Sequence, residues 1–356
     1  MIINKLRLIP LLIACWVATP GFTANLDQLL PNERNTIEIF QKAAPKVIFV
    51  HRLNMIVNSA DEHMKIPAGT GSGIVWDDKG HIVTNFHVIN GVDKLEVTLG
   101  KKRFAAKVIG TEPRKDIAVL ALTSPKALEL LKSFQPFELA HTRDLMVGQK
   151  TIAIGNPFGL DHSLTTGVIS ALGRQMPGVG GVSIPDMIQT DASINPGNSG
   201  GPLLDSAGRL IGLNTLIFSK SGSSSGVGFA VSADEISRIV TQIIKNGRVV
   251  LAGIGIKRIE PQVAGQLGVR KGVLISGVIP NTPAARVGLR GTLRDNWHRI
   301  ILGDIIVALN GHPVANYDEL YNLLTEVKVG EMVSLTVLRE NKTMTYKMKT
   351  IDIAAY

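Results

Sequence analysis

Three residues of this 356-residue chain have the types, the order and the local settings of an acyl-transfer site: His87, Asp116 and Ser199. Ser199 stands in NPGNSGGP, behind Gly197 and ahead of Gly200 and Gly201. A serine hydroxyl is a weak nucleophile until a base takes its proton, and histidine is the commonest such base. The base needs a carboxylate to fix its tautomer and stabilise the imidazolium. His87 follows the apolar run in HIVTNFHVI, and Asp116 heads the very apolar run DIAVLAL. The pattern assigns Ser199 as nucleophile, His87 as general base and then acid, and Asp116 as the orienting carboxylate. Each alone reads as an ordinary turn or strand-end residue. In the order His, Asp, Ser, each inside its own motif, they read as a catalytic triad. The glycines let the Gly197–Asn198–Ser199 backbone turn so that amides converge on one spot and form an oxyanion hole. Asp191, eight residues before Ser199, is a rival acid and reads as a loop-ordering group.

Gly197-x-Ser199-x-Gly201 also satisfies G-x-S-x-G, the nucleophile elbow of an α/β-hydrolase. That elbow requires a helix after the serine and its histidine downstream. Here Pro202 follows within three residues, LLDSAGRLIGLNT has the composition of a hairpin, and the downstream histidines are His298 and His312 in a separate C-terminal unit. The context excludes the elbow.

The elements that must position the triad are strands. Residues 33–44 read as a short amphipathic helix ended by Pro45. From there to about residue 231, short runs rich in Val, Ile and Thr alternate with Gly, Asp and Asn turns, among them DDKG and DSAG. Many short strands at this spacing predict a β sandwich or barrel. A helix follows in SADEISRIVTQIIKNG: Ser232 and Glu235 are placed as a capping box, Ile236, Ile239, Val240, Ile243 and Ile244 form one face, and Gly247 ends it. A boundary falls near 246–252. Residues 253–350 read as a second, α+β unit containing the helix NYDELYNLLTEV, which Asn316 and Glu319 cap reciprocally.

The formal charge of +9 comes with no dense Lys/Arg block and no aromatic stacking pattern, which argues for a solvated basic surface and against nucleic acid. No Walker, Rossmann or HExxH motif occurs, so no cofactor and no metal is expected. Residues 1–24 have the layout of a secretory signal peptide: Lys5 and Arg7, an apolar run from Leu8 to Val17, then small residues. Retention as an anchor, or lipidation at Cys15, are the alternatives. Cys15 is the sole cysteine, which leaves an exported chain no disulfide framework.

The motifs GSGIVW, HIVTNFHVI, KDIAVL, AIGNPFGLDHSLTTGVIS, IQTDASINPGNSGGPLLD and SSGVGFAV, over residues 33–345 together with GVLISGVIPNTPAARVGL and LGDIIVALNG, resemble the HtrA (Deg) family of exported trypsin-like serine proteases of single-PDZ type. The resemblance implies a mostly β, chymotrypsin-like double β-barrel at 46–247, after an N-terminal segment at 25–45, and one α+β PDZ domain at 253–350. It implies an ATP-independent endopeptidase of the bacterial envelope, exported to the periplasm, acting on unfolded proteins. The alternative is a protein-binding chaperone with secondary proteolysis. It implies a homotrimer or a multiple of trimers, with peripheral membrane association as a further option. By the family pattern, Ile194, Ile217 and Phe218 line the pocket for the side chain before the scissile bond, and Thr215 and Leu216 pair with substrate backbone. Gly253, Ile254, Gly255 and Ile256 resemble the PDZ loop that cradles a peptide C-terminus. Two departures from trypsins matter: Val88 replaces a disulfide cysteine, and Asn198 replaces the aspartate that receives a freed N-terminal amine. A neutral amide forms no such ion pair, so another event must order the loop. Residues 173–186 and 219–226, rich in Gly and Ser, are the candidate sensors through which PDZ-bound peptide biases activity.

Overall fold

The computed structural model of the chain describes residues 28–57, 63–157, 161–177, 183–217 and 226–353. The expected signal peptide with Cys15, the pocket residue Phe218 and most of the 219–226 loop lie outside these residues. No helix among the described residues is long and apolar enough to cross a membrane.

A helix, α1 (Pro31–Ala43), precedes the first barrel, which closes from β1 (Val47–Val57), β2 (His63–Val75), β3 (His81–Thr84), β4 (Lys94–Leu99), β5 (Lys102–Glu112) and β6 (Ile117–Leu122) in the order β1-β2-β3-β6-β5-β4. A four-residue helix, α2 (Phe86–Ile89), leaves β3, and α3 (Pro125–Leu131) follows the barrel. The second barrel closes from β7 (Lys150–Gly155), β8 (Ser163–Pro177), β9 (Ser183–Thr190), β10 (Pro202–Leu204), β11 (Leu210–Ile217) and β12 (Gly228–Ser232). Two closed six-stranded barrels leave no edge open to pairing.

Strand β6 explains why DIAVLAL is apolar throughout. Side chains alternate across a strand. Ala118 and Leu120 point into the first barrel with Ile48, Val50 and Ile82, whereas Ile117 and Val119 point the other way, into the core between the barrels with Ile154, Leu213 and Val231. Both faces are buried, so neither carries a polar residue. Each fully buried aliphatic side chain contributes about 1.5–3 kcal/mol, enough to hold the barrels face to face and fix the loops that cross their seam.

Helix α4 (Ala233–Asn246) packs Ile236, Ile239, Val240 and Ile243 into that seam and ends at Gly247, whose φ of 73° is left-handed. The anticipated capping box is not formed. Ser232 occupies the cap position without a side-chain hydrogen bond, and Glu235 turns to Arg238, 2.8 Å away, and toward Lys115. An i,i+3 ion pair within the helix, joined by Lys115 from the first barrel, takes the carboxylate that the cap would have used.

The C-terminal unit contains β13 (Ala252–Gly253), β14 (Ile256–Arg258), α5 (Pro261–Gln266), β15 (Val273–Val278), α6 (Pro283–Arg286), a hairpin of β16 (Leu293–Arg294) and β17 (Ile300–Ile301), β18 (Ile305–Leu309), β19 (His312–Pro313), α7 (Tyr317–Thr325), β20 (Met332–Arg339), β21 (Lys342–Lys349) and β22 (Ile351–Asp352). Its main sheet runs β14-β15-β18-β20-β21, with β14 at one edge. On α7 half of the expected box is present: Glu319 N donates to Asn316 Oδ1 at 3.0 Å, while Glu319 Oε2 accepts not from the Asn316 amide but from Ala315 N, one residue earlier, at 2.7 Å.

Candidate active site

Asp116 organises the site. It ends the 3-10 turn Pro113–Lys115 in a left-handed conformation (φ 55°, ψ 40°), which aspartate tolerates better than most residues. Its backbone carbonyl accepts from Asn85 Nδ2 at 3.0 Å and from Phe86 N at 3.1 Å. Its carboxylate accepts from His87 N at 2.9 Å and pairs with His87 Nδ1 at 2.7 Å. Four contacts thus pin residues 85–87 to one side of Asp116 and leave the half-exposed His87 ring to present its other nitrogen to the cleft.

A fifth contact comes from the second barrel. The Thr215 hydroxyl donates a short hydrogen bond to Asp116 Oδ2. The register between β11 and β12 slips between Asn214 and Leu216, so Thr215 is the extra residue of a β-bulge. The bulge aims its side chain across the seam. The Thr215 carbonyl accepts from Ser199 Oγ at 3.3 Å. One threonine therefore joins Asp116 to Ser199, and His87, Asp116, Thr215 and Ser199 form one chain of contacts. Ser199 Oγ makes no hydrogen bond to His87 in this arrangement. Asp191 accepts from Val168 N at 2.7 Å, a loop-ordering contact remote from His87.

The 197–199 backbone is held by a residue that the sequence did not single out. Ser72, fully buried on β2, donates to Gly197 O at 2.6 Å and accepts from Asn156 N at 2.8 Å, while its own amide donates to Ser199 O at 2.9 Å. Thr84 Oγ1 in turn donates to Ser72 O at 2.7 Å. Gly197 has a φ of 102°, and a Cβ there would overlap Pro157. The amides of Gly197 and Ser199 donate to none of the described residues, which leaves them available to an oxyanion. Asn198 is buried, with its amide set between Ser163 Oγ (3.1 Å) and Ser193 O (3.3 Å). Neutral contacts thus anchor the position where an ion pair serves in trypsins. Ser72→Ala removes one donor and one acceptor from a buried network. The expected result is a loss of about 1–3 kcal/mol in stability and a fall in kcat/KM of about 10- to 100-fold as the oxyanion loop loosens. Unchanged kinetics would show that the loop holds itself.

Ile194 is buried against Gly228, where a Cβ would lie 2.6 Å from Ile194 Cγ1. Gly228 keeps the strand wall clear beside Ile194, and the second glycine of GVGFAV, set against the apolar run, is the signal that could have found it. Leu216 and Ile217 lie on β11, paired with Phe229 and Gly228.

In the C-terminal unit, Gly253 pairs with Ile351, Ile254 is buried in the core, and Gly255 turns at φ 88° into β14. The amides of Ile254 and Gly255 donate to none of the described residues. Across from β14 the Arg258 guanidinium lies 4.3 Å from the Tyr317 ring of α7, so strand and helix are already bridged.

Helix α7 also reaches the barrels. Asp318 accepts from Ser183 N and Oγ, at 3.1 and 2.7 Å, at one end of the 173–186 segment. Tyr321 is buried in the seam core with Arg114 4.9 Å from its ring centroid. Asn322 Oδ1 accepts from Lys115 Nζ at 3.2 Å. Lys115, the residue before Asp116, is 1% exposed, and loss of hydration lowers its pKa below the usual lysine value despite Glu235 at 3.8 Å. Burial raises the Glu112 carboxyl and the Tyr321 phenol in the same layer.

The trypsin-like peptidase domain family matches residues 71–213, and the PDZ domain family matches residues 238–350. Protease Do-like 1, chloroplastic, from Arabidopsis thaliana is 48% identical over 315 residues, which cover 88% of this chain and 70% of that protein. The periplasmic serine endoprotease DegP of Escherichia coli (strain K12) is 35% identical over 298 residues, covering 82% of this chain and 59% of its own length, so the chain spans about three fifths of that relative. A solved HtrA-type protease, AlgW with a decapeptide, matches with a TM-score of 0.68 at 30% identity, over 89% of this chain and 98% of that one.

Proposed function

Because the chain belongs to the HtrA (Deg) family of trypsin-like serine proteases with a PDZ domain, we propose that it is an ATP-independent endopeptidase of the bacterial cell envelope that degrades unfolded or damaged proteins. The observation that carries the site assignment is the continuous contact chain from His87 through Asp116 and Thr215 to Ser199. His87 takes the Ser199 proton as Oγ attacks the peptide carbonyl. The amides of Gly197 and Ser199 receive the oxyanion, each worth about 3–4 kcal/mol in sites of this kind. His87 then protonates the leaving amine, and water repeats the sequence on the acyl-enzyme. Asp116 keeps Nδ1–H and so leaves Nε2 as the base.

Export through residues 1–24 and a periplasmic location are part of this reading, supported by the signal-like N-terminus and by bacterial relatives named as periplasmic. Assembly as a trimer is carried over from the family. C-terminal peptides are the proposed ligands of the loop at Gly253–Ile256. Such a peptide adds a strand to β14 in the place now bridged by Arg258 and Tyr317. Because α7 holds both Ser183 and Lys115, displacing it would act on the 173–186 segment and on the turn before Asp116.

Mass spectrometry of the products of reduced casein tests the reaction and the pocket together. The family pattern assigns the pocket to Ile194, Ile217 and Phe218, with no acid among them, so cuts are expected after Val, Ile and other small or medium aliphatic residues. Cuts confined to Lys and Arg would overturn the pocket assignment, and no serine-dependent cut at any peptide-activated condition would overturn the proposed reaction.

A further inference from the structure

The hairpin of β16 and β17 projects from the C-terminal unit with a rigid frame and an apolar exterior. Its base is clamped to β15. Thr292 N and Oγ1 both donate to Ile275 O at 2.9 Å, and Gly303 N donates to Thr292 Oγ1 at 3.0 Å. Below this, Asp304 is fully buried and paired with Arg339 at 2.6 Å. At the tip, Asp295 Oδ1 accepts from Trp297 N and Arg299 N, both at 2.9 Å, and Oδ2 accepts from Arg299 Nε at 2.7 Å. The turn's polar groups are thus satisfied from within, and its one carboxylate is neutralised by Arg299.

The apolar side chains are satisfied by nothing. Trp297 is 74% exposed, and Leu293, Ile300, Ile301 and Leu302 are between 42% and 54% exposed. The register sets Leu293 opposite Ile301 and Arg294 opposite Ile300. Directly opposed residues share a face of an antiparallel ribbon. Apolar groups therefore stand on both faces and at the tip. A flat protein surface would cover one face; a fluid apolar medium surrounds all three. The charges fit the rim of such a medium. Of Arg290, Arg294 and Arg299, Arg290 pairs with Glu340 at 3.6 Å and Arg299 with Asp295 at 2.7 Å, which leaves Arg294 as the surplus cation of the hairpin, on a chain of net charge +9. Arg299 lies over the Trp297 ring at 5.0 Å, an arrangement that keeps a guanidinium at headgroup level while the indole enters the interface.

We infer that this hairpin docks the protein on an anionic lipid bilayer, with Trp297 and the Leu/Ile groups in the interfacial region and Arg294 among the headgroups. The inference does not depend on the proteolytic reading.

The test uses the full chain with vesicles of phosphatidylglycerol and phosphatidylcholine, some carrying brominated acyl chains. Trp297 fluorescence, taken as the difference between the natural chain and Trp297→Phe, is expected to be quenched by brominated lipid. Trp297→Ser/Ile301→Ser is expected to weaken vesicle binding about tenfold or more, with casein cleavage unchanged as the check on folding. Binding should also fall on pure phosphatidylcholine and at 10-fold higher salt. Absence of Trp297-dependent quenching would overturn the inference, even where the N-terminal apolar run keeps the chain on vesicles. So would a lipid-free chain whose self-association is abolished by the double substitution, since the hairpin would then join two copies.

Discussion

Ser199→Ala is expected to lower casein cleavage by about 10⁶-fold, to the level that binding and the oxyanion amides alone sustain. The reason is chemical. No other described side chain stands where Ser199 Oγ does, and the hydroxyl makes a single contact, 3.3 Å to Thr215 O. Its removal leaves the surrounding frame intact, because that frame is backbone: Ser72 N still donates to Ser199 O, Gly200 N to Asn214 O and Gly201 N to Asn198 O, all at 2.9 Å. Gly200 keeps its φ of 83° beneath Ser72. Binding of a C-terminal peptide, measured by calorimetry, should match the natural chain. Retained cleavage would remove Ser199 from the nucleophile's role. Loss of cleavage together with loss of peptide binding would show that the fold, not the chemistry, had failed.

Asp116→Asn is expected to cost about 10⁴ in kcat with the backbone unchanged, by the logic of the general Ser-His-Asp site. Asparagine tolerates the left-handed conformation as well as aspartate does, so the turn survives. The difference lies in the acceptors. The carboxylate takes three donors: His87 N, His87 Nδ1 and the Thr215 hydroxyl. The amide has one oxygen. If that oxygen keeps His87 N, the NH₂ faces Nδ1 and forces it to accept. The ring proton then moves to Nε2, and the base toward Ser199 is lost. If the amide flips, the His87 backbone loses its anchor instead. Steady-state kinetics at neutral pH check the size of the loss. A decrease below tenfold would remove Asp116 from the role of orienting the ring.

The chemistry proposed for the site was legible because it depends on residue type. Only certain side chains serve as nucleophile, base and orienting acid, and each sat in a recognisable run. Glycine at 197 was legible for a similar reason, since its backbone conformation excludes a side chain. The alternation of short strands announced a β protein, and the break after Gly247 announced a second unit. The elements that escaped share a different origin. Thr215 was anticipated as a backbone partner of substrate, yet its hydroxyl serves Asp116, 99 residues away, because a one-residue bulge redirects it. Ser72 supports Gly197 across 125 residues, from a strand that reads as ordinary β sequence. The cap anticipated from Ser232 and Glu235 failed because Glu235 pairs instead with Arg238, one turn along the same helix, and with Lys115, 120 residues away, a competition that the cap motif by itself does not rank.

Lys115 marks the limit most clearly. In the sequence it is one more cation beside Asp116, and a lysine is expected to be solvated. Its burial becomes tolerable only when Glu235 and Asn322 meet it from 120 and 207 residues along the chain. Sequence by itself determined which atoms can do the chemistry, since covalent structure fixes nucleophilicity, basicity and backbone freedom. Tertiary structure alone decided which groups hold those atoms in register and which helix packs on the turn before Asp116, because burial and long-range hydrogen bonding arise only when barrels close and units pack.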